Sequence, residues 1–141
     1  RAFLEEQARK RPFKPGEIVL FHSGFSDAEF KPLPAAPGKD GLFARPLEGS
    51  SEGWPSPTPE AVAYLADAGI RCVGTDGPTL GGVDPKGSQF TDWMAASRGL
   101  LVVEFLTNLK SIEGRDAFFL FAPVKIEGTR GGYGRALALL R

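Results

Sequence analysis

The sequence predicts an α/β fold, and three observations carry that reading. Apolar runs of strand length, among them "EIVLF", "IRCVGTD" and "GLLVVEFLTNL", alternate with segments of helical composition. The stretch "TPEAVAYLADAG" contains every start and stop signal a helix needs. The chain holds 18 glycines and 12 prolines in 141 residues, about a fifth, below the roughly 25% at which disorder becomes the better reading. Long loops are therefore expected to be ordered.

In chain order, residues 1–9 set Ala2, Phe3 and Leu4 among good helix formers, and "RPFKPG" ends that helix. "EIVLF" follows as a strand. Residues 24–56 are rich in Pro, Gly and small polar residues and read as a long surface excursion. In the next helix Thr58 is the cap, Pro59 fits the first turn, Glu60 sits near the positive end and Gly69 is the stop, with Val62, Leu65 and Ala66 as its apolar stripe. "IRCVGTD" is a strand, "GPTLGGVDPKG" a loop and "QFTDWMAAS" a short helix. The run from Gly99 to Leu109 reads as a buried strand, with Leu100, Val102, Glu104 and Leu106 on one face and Leu101, Val103 and Phe105 on the other. "DAFFLFAPVKI" and "RALALL" are two further strands, and the glycine-rich "GTRGGYG" between them is a tight, hairpin-like turn. There is no internal repeat. The length fits one domain over residues 1–141, with a core that needs no disulfide.

Charge and composition exclude several classes. Seventeen basic and seventeen acidic residues cancel, and no basic cluster is denser than "ARKRPFK", so no nucleic-acid partner is expected. The apolar runs are far shorter than the roughly 20 residues of a membrane span. No membrane partner is expected either. Cys72 is the only cysteine, which excludes an internal disulfide and a thiolate metal cluster and suits a reducing, cytoplasmic setting. The chain begins without methionine or an apolar leader, which suggests a fragment or a trimmed product.

"GFSDA", residues 24–28, follows a strand and nearly matches the G-x-S-x-G elbow of serine hydrolases. That chemistry needs a histidine later in the chain, and the only one, His22, precedes Ser26. His22 reads as a packed or capping residue. "GTRGGYG" lacks the G-K-[ST] ending of a phosphate loop. The remaining candidates are acidic: Asp76, Asp84, Asp92 and Glu104. Carboxylates at strand ends are how a hard or borderline divalent cation is held. The residues alone leave Glu104 open to two readings, a metal ligand or a carboxylate paired with Arg or backbone amides. Asp76 reads as a brace for the turn that follows it.

At this point the residues resemble a family. "PGEIVLFHSGFSD", "GWPSPTPEAVAYLADAGIRCVGTDGPTL", "GLLVVEFLTNLKSIEGRDAFFLFAPVKIEG" and "GRALAL" are similar, in order and spacing, to the carboxyl-terminal part of the cyclase-like metal hydrolases, a group that includes bacterial kynurenine formamidase. The resemblance implies a swivelling β/β/α domain lacking its amino-terminal part. It also implies hydrolysis of an amide or ester of a small aromatic or cyclic substrate with a divalent metal, Zn or Mn, and assembly into a homo-oligomer. By the same resemblance Glu104 matches a metal ligand. Asp92, twelve residues earlier, stands where the family has a histidine ligand, and aspartate favours harder ions. Nothing in the chain matches the family's H-x-G-T-H-x-D-x-P-x-H signature, so the chain by itself is expected to hold metal poorly and to be inactive. The alternative is a degenerate, non-catalytic member with a binding or assembly role.

Overall fold

The computed structural model describes residues 1–30 and 43–140. They fall into two compact units, Arg1–Thr107 and Asn108–Arg141. In the first unit the elements are α1 (Ala2–Lys10), β1 (Ile18–Phe21), α2 (Phe25–Glu29), α3 (Ala44–Leu47), α4 (Pro59–Asp67), β2 (Cys72–Thr75), α5 (Pro85–Ser97) and β3 (Leu101–Val103). The three strands form one parallel sheet in the order β1-β2-β3, with Ile18 opposite Cys72 and Cys72 opposite Leu101. The expected α/β class holds. Residues 24–56 carry two short helices, α2 and α3, and residues 31–42 of that excursion lie outside the described residues.

Helix α4 forms as its sequence dictates. The Thr58 side chain accepts from the Ala61 N–H (3.3 Å), and Pro59 opens the first turn, where its missing N–H costs nothing. Its stripe of Val62, Leu65 and Ala66 is buried and, with Ile70, Val73, Leu80 and Ala95, makes the core on which α4 and α5 meet. Each fully buried Val, Leu or Ile there contributes about 1.5–3 kcal/mol relative to exposure.

Helix α5 is longer than expected. It begins at Pro85 rather than within "QFTDWMAAS" because Asp84 is its N-cap, accepting from the N–H groups of Lys86 (3.3 Å) and Gly87 (3.0 Å). Asp-Pro is a cap followed by a first-turn proline; Asp84 therefore spends its carboxylate on the helix. Asp84→Ala is expected to cost about 1 kcal/mol and to leave cation binding unaltered. An unchanged urea midpoint would count against the cap.

Strand β3 is shorter than expected, ending at Val103, so Glu104 lies just beyond it. The predicted faces also fail, because Val103 and Leu106 are buried while Val102 is exposed. The cause is Phe105, whose φ of +62° breaks the strand. Phe105 N–H donates to the Gly77 carbonyl (2.9 Å) and Leu106 N–H to that of Thr75 (3.0 Å).

The second unit holds a 3-10 turn (Leu109–Ile112) and the antiparallel hairpin β4 (Ala117–Pro123) and β5 (Gly134–Leu140), joined through the glycine-rich turn as expected. Phe118 stands opposite Leu139 and Leu120 opposite Leu137, and all four are exposed on one face. Among the described residues no helix is long and apolar enough to cross a membrane.

Candidate functional site

In an open parallel sheet, ligands bind beyond the carboxyl ends of the strands. Here the turn after β1, the loop after β2 and the residues after β3 all gather at that edge, and each brings a polar group.

Asp76, next after β2, is buried. Its carboxylate accepts from the Ser23 N–H (3.0 Å), the Ser23 hydroxyl (2.8 Å) and the Gly24 N–H (2.5 Å). The Ser26 hydroxyl donates to the Asp76 carbonyl. This network bolts the end of β1 to the end of β2; the turn that Asp76 braces is the one after β1, not the one that follows Asp76 as expected, where Gly77 N–H donates to Thr75 Oγ1 (3.0 Å). The network also disposes of the serine elbow. Ser26 does lie on a strand-turn-helix, but it is buried and its proton is committed to a main-chain oxygen, whereas a nucleophile must be presented to substrate. His22, expected to be packed or capping, is exposed just past β1. Burial pushes the half-buried Cys72 thiol above its ordinary range, which disfavours the thiolate.

The loop from Gly77 to Asp84 folds back on α5. At Gly81 an added Cβ would lie 2.4 Å from the Ser88 backbone, so only glycine lets the loop approach the helix so closely. That approach brings two backbone amides to two carboxylates. The Leu80 N–H donates to Glu104 Oε1 (2.8 Å), and Gly81 N–H and the Ser88 hydroxyl (3.5 Å) serve Asp92. As whole residues both acids are exposed, yet their carboxyl groups are partly desolvated. Desolvation raises both above the usual carboxylate range, and the charge of Asp92 raises Glu104 further against the pull of the Leu80 amide. Among the described residues Glu104 pairs with no cationic side chain; its partner is the Leu80 amide, a bond that a metal ligand and a structural carboxylate can both make. The buried strand position expected for it is also corrected, since it sits at a strand end.

Two adjacent carboxylates that repel each other, each aimed by a backbone N–H, suit a divalent cation that prefers oxygen ligands. They fit such an ion as two of its ligands. Among the described residues no group of three or more His, Cys, Asp or Glu side chains comes together to complete a shell.

Sequence reasoning passed over the aromatic residues beside this edge. Trp54 is buried, its indole N–H donating to Thr79 Oγ1 (3.2 Å), and Phe25 and Phe43 pack on it with ring centroids 5.7 and 6.4 Å away. Phe43 meets Phe105 edge-on at 5.6 Å. Phe25 also lines a cleft of about 330 Å³ with Ser23, Arg45 and Glu52. These partners are far apart in sequence, and no local pattern announces them.

A parallel sheet with helices and a carboxylate pair at its carboxyl edge defines a chain of the α/β class. Residues 1–81 match the model of the Cyclase family (putative cyclases), and the chain belongs to that family. It is 33% identical over 91 residues to the isatin hydrolase of Roseibium aggregatum, a match covering 61% of this chain and 34% of that protein. An isatin hydrolase bound to the product analogue thioisatinate shares the fold over 97% of this chain and 50% of its own length, with a TM-score of 0.70 and 21% identity. A potential metal-dependent hydrolase with cyclase activity does so over 95% of this chain and 56% of its own, with a TM-score of 0.65 and 24% identity. The chain thus spans about half the length of these solved structures and about a third of that curated relative.

Proposed function

We propose that the chain is part of a metal-dependent hydrolase acting on an amide or ester of a small aromatic or cyclic compound, such as an aryl formamide or the cyclic amide of isatin. The observation that carries this reading is the convergence of Asp92 and Glu104 on the amides of Gly81 and Leu80 at the carboxyl edge of the sheet. A divalent cation, Mn or Zn, would supply Lewis acidity there when bound. This chain's own groups hold and orient: Asp92 and Glu104 contribute anionic oxygens, and the two amides fix where those oxygens point. The kinship with the isatin hydrolase of Roseibium aggregatum supports the same class of scissile bond.

Calorimetric titration with Mn²⁺ and Zn²⁺ tests it. The parent is expected to bind weakly, and Asp92→Asn or Glu104→Gln to bind at least roughly tenfold more weakly. Equal affinity in all three proteins would overturn the site. The 141-residue chain alone is expected not to turn over isatin or N-formylkynurenine, because two carboxylates do not complete a catalytic centre.

A role in assembly, the alternative reading, is favoured by the hairpin. Phe118, Leu120, Leu137 and Leu139 form a continuous exposed apolar face, and a two-stranded ribbon of this kind is marginal alone in water. A second copy of the chain is the proposed occupant. Sedimentation at high micromolar concentration should show self-association that Leu120→Glu abolishes, and a strictly monomeric parent would refute this.

A further inference from the structure

We propose that Phe105 is a positioning residue for Glu104, acting through its left-handed backbone rather than through its ring; the functional value of this rests on the reading of Glu104 as a ligand. The ladder between β2 and β3 is regular up to Gly74 opposite Val103, with Leu101 N–H donating to Arg71 O (2.9 Å). A parallel ladder repeats every two residues, so an unbroken strand would carry Phe105 N–H to Thr75 O. Leu106 takes that acceptor instead (3.0 Å), and Phe105 N–H turns to Gly77 O (2.9 Å). One extra residue has been inserted, which is a bulge, and it needs φ of +62° at Phe105. A non-glycine residue seldom adopts that conformation, and outliers of this kind gather at functional sites.

The surroundings hold the bulge through main chain and through Leu106. Leu106 is buried, and it fits because Gly74 has no side chain: a Cβ there would lie 2.8 Å from Leu106 Cδ1 and 2.6 Å from Leu20 Cδ2. The ring of Phe105 meets Phe43 edge-on, and Phe43 is itself half-exposed. Glu104 is thereby pinned between buried Val103 and the kink, with Oε1 2.8 Å from the Leu80 nitrogen. A regular strand would also set Glu104 on the face opposite buried Val103; what the bulge changes is the path of the chain immediately after Glu104, where Phe105 N–H leaves Thr75 O for Gly77 O.

The test uses the metal-free, ¹⁵N-labelled chain and the Leu80 amide proton, which moves downfield when bonded to a carboxylate. Glu104→Ala supplies the unbonded reference. Phe105→Gly and Phe105→Asn, which tolerate positive φ, are expected to keep the Leu80 resonance at the parent position. Phe105→Val, which does not, is expected to move it most of the way to the reference. A Val variant with the parent shift, or Gly and Asn variants displaced as far as Val, overturns the proposal. Should the Val variant not fold, Phe105→Ala replaces it: Ala and Gly both lack the ring, so an identical Leu80 shift in the two would also overturn it. Mn²⁺ titration separates the underlying reading. The Gly variant should bind like the parent and the Val or Ala variant roughly tenfold more weakly. A parent that binds no Mn²⁺ would remove the ligand reading, while the Leu80 resonance still decides the positioning role.

Discussion

Asp76→Asn is expected to lower the unfolding free energy by about 3 kcal/mol, the scale for breaking a buried, charge-assisted hydrogen-bond set. The buried carboxylate accepts from two N–H groups and a hydroxyl, all contributed by Ser23 and Gly24 beyond β1. An asparagine keeps one acceptor oxygen but turns an NH₂ group toward those donors, so at least one part-buried donor loses its partner. The damage should extend beyond stability, because Gly24 and Phe25 lead into α2 and Phe25 packs on Trp54. Urea denaturation with fluorescence of the two tryptophans gives both readouts, since Trp54 reports on the aromatic cluster. A loss below about 1 kcal/mol would mean that the network is replaceable by water and that the two strand ends are not joined through it.

How much of this was legible differs from one segment to the next, for physical reasons. Helix α4 could be read completely because all its determinants are local: Thr58, Pro59, Glu60, the stripe at Val62 and Leu65, and Gly69. Helix α5 was read only in its later part. Gly87 and Pro85 look like loop residues until Asp84 is recognised as the cap that makes proline useful. The break after β3 left no trace, because phenylalanine carries no preference for positive φ and the apolar run continues through it. That break depends on Gly74 and Gly77 of the neighbouring segment, which are distant in sequence. The approach of Asp92 to Glu104 is likewise tertiary. Periodicity cannot link a helix residue to a strand end across a glycine turn, and only the family resemblance drew attention to the pair.

Glu104→Gln is expected to have opposite consequences with and without metal. In the metal-free protein the variant should be as stable as the parent or slightly more so. Glutamine Oε1 can still accept from the Leu80 N–H, while the partly desolvated charge beside Asp92 is gone. The sign can be followed through pH. The folded Glu104 carboxyl lies above its ordinary value of about 4.3, so between that value and the raised one the folded chain holds the proton more tightly than the unfolded chain. The stabilisation from this group is complete below the ordinary value and is lost as pH rises through the folded one. Glu17 and Glu60 are shifted downward and give the opposite slope. The diagnostic quantity is therefore the difference between parent and variant, which should grow in favour of Glu104→Gln as pH rises through the folded range of Glu104. Added Mn²⁺ should reverse the order above that range, because a bound cation stabilises the folded parent by mass action and the neutral amide weakens the site. Thermal unfolding of both proteins across pH, after chelation and then with Mn²⁺ or Zn²⁺, measures all of this. A cost on the order of 3 kcal/mol for the variant under chelation, with no metal-dependent gain in the parent, would make Glu104 a structural carboxylate and remove the hydrolase reading that rests on it.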